Sequence, residues 1–388
     1  CWAIINALAA IVSFGGPGFL MRECSARSVN KGEGVSFREA IKLILIWPAL
    51  FLIVLGLMAF CGHDYLLKQG LFGKDMGTML YLLAATWTLV HINLVVVPYR
   101  VAGWQNFAMF VRDAGPHVAI LTVSLFCFFK GEVTVDSILC YFSVVGLLIV
   151  TVLWILVMTS DGRVPFNFRE QGESGFKGLL AFWANSIVGT LVVQVDILLG
   201  GLFVDSEALG RYQLLKRLAN LLSLPQIVAN WSVLVEVGQA YAKRDFNAIQ
   251  HLCRNGLIVS LLPSLVLLFV LVLVFPVVTD AYDIQRDLQL WGLFCILSIS
   301  QLTNVFFGVN FAVASQCHAE SIAVLSRVTG IVLGIVVLIF AGQEFQLIGL
   351  ATTLVVVSLS SNLLMWLYLR MKLHLDTSAA NLFVLRKV

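Results

Sequence analysis

The feature that most constrains this chain is a succession of apolar runs, each about as long as a membrane is thick, separated by short polar breaks. Roughly 20 mostly apolar residues make a helix that crosses about 30 Å of hydrocarbon. Eleven such runs are readable: 1–21, 39–62, 77–98, 107–129, 134–158, 177–204, 208–235, 255–278, 289–314, 320–341 and 345–369. Little chain remains for a soluble domain, so the expected fold class is an all-α polytopic membrane protein. Composition agrees, because 60% of the 388 residues are hydrophobic and only 12% are charged, about half the share in soluble domains. Disordered, collagen-like and disulfide-framework classes are excluded by the same figures.

The few charges are unevenly placed. With the first break on the inside, 18 cations fall in inner breaks and their flanks, whereas Lys68, Lys74, Lys130 and Arg286 alone fall outside. The positive-inside rule therefore fixes the orientation and puts residue 1 on the outer side. Because the chain starts within an apolar helix, a preceding segment is expected. A twelfth helix there would give two six-helix lobes around a central cavity, with both termini in the cytoplasm. The expected boundaries are an N-terminal lobe over 1–158, a cytoplasmic inter-lobe loop over 159–176, a C-terminal lobe over 177–371 and a cytoplasmic tail over 372–388. Similar charged breaks at 20–48 and 234–263, each followed by a span with an early proline (Pro48, Pro263), fit a duplication.

The net charge of +3 is dispersed, which argues against nucleic acid as a partner. Eight cysteines show no metal or redox spacing and read as small apolar packers. Neither a metal site nor an enzyme is expected. No HExxH, GxSxG or phosphate loop occurs, and the longest outer break, 63–76, is too short to carry chemistry.

Charges inside spans are costly, about 2.5–3.5 kcal/mol each, so they mark polar interiors. They gather on the seventh and eighth helices. If the turn between these centres on Ser206, Asp196 and Lys216 are each ten residues away and lie at equal depth. Asn185, Gly189, Asp196 and Gly200 share one line on the seventh helix, while Gln213, Lys216, Asn220, Ser223 and Asn230 form a stripe on the eighth. Gln301, Asn304, Gly308 and Ser315 add a face on the tenth. Two readings stay open. In one, Arg22, Arg211, Lys216 and Arg217 make a hydrated cavity electropositive for an anionic cargo. In the other, Asp196 and Lys216 pair to lock the hairpin, Arg211 reaches outward and Arg22 is an interfacial anchor. His91 reads as bonded to a neighbouring helix, Arg112, Asp113, Glu320 and Arg327 as interface anchors, and Gly330 with Gly334 as a close-packing motif.

Three stretches carry a family resemblance: GGPGFLMRECSARSVNKGEG, QVDILLGGLFVDSEALGRYQLLKRLANLL and ASQCHAESIAVLSRVTGIVLG. The chain resembles the polysaccharide or oligosaccharide (O-antigen-type) flippases of the multidrug/oligosaccharidyl-lipid/polysaccharide exporter superfamily over nearly its whole length. The distinctive piece is Asp196, Gly200 and Gly201, followed by Leu209, Gly210 and Tyr212. It departs from that pattern at Val235-Glu236, where many relatives carry a proline. The resemblance implies alternating access and export of a polyprenyl-diphosphate-linked oligosaccharide across a bacterial cytoplasmic (inner) membrane. It further implies that polysaccharide polymerase and glycosyltransferases act alongside, and that the cavity residues are Arg22, Asn185, Asp196, Arg211, Lys216, Arg217, Asn220, Gln301 and Asn304. No cofactor is expected beyond coupling to H+ or Na+. The alternative is a cation-coupled multidrug exporter of the same superfamily. Asp196 as the sole deep acid weighs against it.

Overall fold

A computed structural model describes residues 2–27, 48–53, 56, 76–101, 104–131, 134–159, 172–282 and 287–382. Every regular element among them is helical, as the apolar runs require: inside a bilayer the backbone has no water to bond, and a helix satisfies its own polar groups. Among the described residues nine helices are long and apolar enough to span, and a bent pair adds a tenth. The span expected over 39–62 lies largely outside the described residues, as does 160–171 of the expected inter-lobe loop. The chain divides into two compact units, Cys1–Ile187 and Val188–Val388.

Unit 1 opens with α1 (Trp2–Val12) and α2 (Gly16–Arg27). The sequence predicts one span over 1–21, and the structure bends it: the two halves meet at 52°. Phe14 and Gly15 take positive φ values of 48° and 70°. The indole Nε1 of Trp183 donates to the carbonyl of Ile11 at 2.8 Å, satisfying a group that the break leaves without a helical partner. The pair is followed by α3 (Met76–Val101), the short α4 (Gln105–Met109), a π-turn (Phe110–Ala114), α5 (Gly115–Lys130) and α6 (Val135–Thr159). Helices α3 and α6 are joined by Thr78 donating to Asp136 at 2.7 Å and Ser143 donating to the Tyr81 carbonyl at 2.9 Å. His91 accepts at Nδ1 from Trp154 Nε1 at 2.9 Å, the inter-helix bond expected of it.

Helix α7 (Gly172–Gly200) carries the chain from unit 1 into unit 2. There α8 (Ser206–Asn220), one 3₁₀ turn and α9 (Leu224–Ala242) make a single long span, followed by α10 (Phe246–Ala281), 36 residues long. The span expected over 289–314, tenth once the expected preceding helix is counted, is not continuous. It is broken into α11 (Leu288–Phe306) and α12 (Asn310–Gln316), with Gly308 at φ 62° between them. The last element, α13 (Glu320–Lys372), bends at Gln346, so its arms form two spans. Gly330 and Gly334 on one arm face Val357, Thr353 and Ser361 on the other, leaving no room for a side chain at either glycine.

Two buried cores hold unit 2. One gathers Tyr212, Leu215, Ala219, Phe275, Phe294 and Leu350 around the turn of the α7–α8 hairpin. The other gathers Ala229, Val233, Ile249, Cys253, Val313, Cys317, Met365 and Leu375 at the opposite end. Cys127, Cys140, Cys253, Cys295 and Cys317 are free thiols.

Candidate functional site

The α7–α8 hairpin is built by a short turn that Asp205 closes, its side chain accepting from Ala208 N at 2.8 Å as an N-cap. Ten residues down each arm, Asp196 and Lys216 meet at 2.7 Å, Nζ to Oδ1. The other oxygen of Asp196 accepts from the Tyr212 hydroxyl at 2.6 Å, and Lys216 also donates to the Val193 carbonyl at 2.6 Å. Asp196 and Tyr212 have no exposure and Lys216 only 4%. Tyr212 lies one turn before Lys216 on the same face of α8, so both reach one carboxylate. The result is a charge-neutral triad in which both carboxylate oxygens are occupied.

The remaining cations of the hairpin point elsewhere. Arg211 pairs with Glu207 at 2.6 Å along the helix, and its side chain is 52% exposed. Arg217 is exposed. Neither adds charge at the triad.

A second polar cluster continues along the same helices. Gln301 donates to Asn220 Oδ1 at 2.8 Å. Asn304 Oδ1 accepts from Ser358 Oγ and Asn362 Nδ2, each at 2.7 Å, and Asn362 in turn accepts from Asn310 at 3.0 Å. The broken helix leaves the carbonyls of Asn304 and Gly308 in need of donors, and Gln226 Nε2 on α9 serves both at 2.8 Å. A ladder of amides thus crosses unit 2 where the tenth span loses its own hydrogen bonds.

The two remaining sequence candidates belong to unit 1. Arg22 contacts Glu23 at 3.0 Å, and its guanidinium lies over the rings of Phe19 and Phe182 at 5.5 and 5.0 Å. Asn185 is half-buried on α7. Arg327, expected as an interface anchor, instead lays its guanidinium over Phe311 at 4.1 Å, in space left by the missing side chain of Gly189.

Sequence reasoning brought Asp196 and Lys216 together but missed Tyr212 as their partner, although its spacing from Lys216 was the available signal. It also missed Gln226, Asn310, Ser358 and Asn362. Ser358 and Asn362, four apart on one face, were legible as a polar stripe. No cluster of His, Cys, Asp or Glu suited to a metal occurs among the described residues.

With this geometry in hand, comparison with known proteins places the fold. The sequence pattern of the MatE family matches residues 184–283, the stretch containing the triad. No curated protein matches the sequence. Among solved structures, a MOP superfamily transporter from Pyrococcus furiosus, whose binding pocket is described as reversed in polarity, is 15% identical with a TM-score of 0.69. The likeness covers 96% of this chain and 86% of that one. An outward-facing multidrug resistance MATE family transporter of the MOP superfamily gives 16% and 0.68 over the same shares. The MATE transporter ClbM in complex with Rb+ gives 16% and 0.65 over 95% and 84%. The chain is a multi-pass membrane protein with the MATE transporter fold. The solved neighbours are MATE transporters and not specifically polysaccharide flippases.

Proposed function

We propose that the protein is a secondary exporter working by alternating access, coupled to a monovalent cation or a proton, with Asp196 as the coupling carboxylate. The observation that carries this reading is the triad. Asp196 is the one carboxylate in unit 2 with no exposure among the described residues, and both its oxygens are taken by groups on α8. A mobile cation or proton gains Asp196 only if Lys216 lets go, so ion occupancy and hairpin geometry become alternatives. The Rb+ complex of one structural neighbour and the multidrug resistance role of another support a cation-coupled exporter of cationic amphiphiles.

In proteoliposomes, an Rb+ or pH gradient is expected to drive export of a fluorescent cationic dye. Asp196→Asn should lose the driven component while remaining folded in the membrane. Gradient-driven flux at the wild-type rate in that variant would remove Asp196 from the coupling role.

A second reading, export of a lipid-linked oligosaccharide across a bacterial cytoplasmic membrane, is favoured by the excess of cations on α8. Arg211, Lys216 and Arg217 stand against Glu207 alone on that helix, a poor match to cationic cargo and a better one to a diphosphate. In that reading Asn220, Gln301 and Asn304 complete the part of the cargo path that unit 2 supplies, and a polymerase and glycosyltransferases act before and after it. The two readings separate by cargo. Movement of a sugar-lipid without dye export would select the second, and Lys216→Ala would then abolish surface polymer.

A further inference from the structure

The chain after the last span does not run free. Leu375, Thr377, Ser378 and Ala379 are at most 4% exposed. Gln250 on α10 grips the backbone of Asp376 at both ends: its Oε1 accepts from Asp376 N and its Nε2 donates to the Asp376 carbonyl, each at 2.8 Å. The Asp376 side chain does as much, because Oδ1 accepts from Trp366 Nε1 at 2.9 Å, from Ser378 Oγ at 2.8 Å and from Ser378 N at 3.1 Å. A tail that merely leaves the membrane needs none of these bonds.

What the segment covers gives it meaning. The Thr377 carbonyl rests on Gly308, so closely that a Cβ there would stand 2.6 Å from it. Gly308 is the left-handed residue at the break between α11 and α12. The break is therefore held by Gln226 through its own carbonyls and by the returning segment against its glycine. Beneath the segment, Leu375 shares a core with Cys253, one turn beyond Gln250, and Cys317, just past α12. Hinges in transporters absorb their dihedral change at a few such positions.

We propose that residues 373–382 are a latch over the break in the tenth span: closed, they fix the bend at Gly308, and opening as one piece they free α12 to swing and uncover Cys253 and Cys317. The opening itself does not depend on the exporter reading, whereas its part in a transport cycle does.

The two thiols supply the probe. In the full chain in liposomes, labelling by N-ethylmaleimide, resolved by peptide mass spectrometry, is expected to be slow at both cysteines. Gln250→Ala removes two hydrogen bonds without touching the core and should speed both by the same factor, about tenfold. Asp376→Ala should do the same, while Asp376→Asn, which retains the Oδ1 acceptor, should label close to the wild-type rate. Acceleration at one thiol alone, or at neither, overturns the latch. In parallel, gradient-driven dye export is measured on Gln250→Ala. Altered export supports a role in the cycle, and export at the wild-type rate overturns that role. A wild-type protein that moves no dye counts against the exporter reading alone, since the labelling comparison still decides the latch.

Discussion

At the scale of single residues, Lys216 is worth less as a free cation than as half of a pair. Burying an ammonium and a carboxylate is costly, and the cost is met only while each has the other. Lys216→Ala leaves Asp196 buried with a charge and no counter-ion, and is expected to cost about 3–5 kcal/mol. Asp196→Asn with Lys216→Met removes both charges and should restore much of the stability without restoring driven transport. Thermal unfolding in detergent checks the first part and dye export the second. Additive losses in the double variant would show that the two residues do not act as a pair. The turn before α13 offers a separate check. Burial and the nearby Glu320 carboxylate push the Cys317 thiol from its ordinary value of 9.0 up to about 12. Between those values the native state keeps a proton that the unfolded chain has lost, so stability should fall as pH rises above 9 and that slope should shrink in Cys317→Ala. Of the site itself, the pair was legible because counting residues down two arms of a hairpin needs no tertiary knowledge. Tyr212 was harder to see: its spacing of four from Lys216 was the signal, but a tyrosine reads as packing until the carboxylate it shares is known.

At the scale of elements, the spans were readable and their breaks were not. Hydropathy registers the solvent a helix lives in, and the residues around both breaks, Phe14-Gly15 and Phe306-Phe307-Gly308-Val309, are as apolar as a continuous span. The devices that make the breaks tolerable, Trp183 for one and Gln226 for the other, are remote in sequence and carry no local signature. The amide ladder escaped for a similar reason: Asn304 was singled out, but its partners Ser358 and Asn362 sit on α13, and only packing reveals that α13 lies against α11. Gly308→Ala is expected to destabilise by about 1–3 kcal/mol, since an alanine at φ 62° is strained and its methyl group meets the Thr377 carbonyl. Unfolding midpoints would measure this. Gly131, also at positive φ but with nothing near its Cβ position, provides the comparison, and its alanine variant should lose less.

At the scale of the whole molecule, the sequence and the fold agree on an all-helical polytopic membrane protein and differ in emphasis. Charge placement along the chain points to anionic cargo, whereas the solved neighbours are MATE transporters, one associated with multidrug resistance and one holding Rb+. The triad accounts for both tendencies. Lys216 neutralises Asp196, the one carboxylate of unit 2 with no exposure among the described residues, and in the proposed exporter the same lysine is a built-in stand-in for the coupling cation.

The pairing also has an electrical consequence. A unit charge carried through a membrane potential of 100 mV exchanges about 2.3 kcal/mol with the field, but Asp196 and Lys216 sum to zero and travel together. The hairpin can therefore shift in depth without doing work against the voltage. Diffusion potentials of either polarity, set with K+ and valinomycin, are expected to leave the position of the hairpin turn, read by a fluorophore on Leu202→Cys, unchanged when Lys216 is present. In Lys216→Met, where Asp196 is left to feel the field alone, the same measurement should depend on polarity.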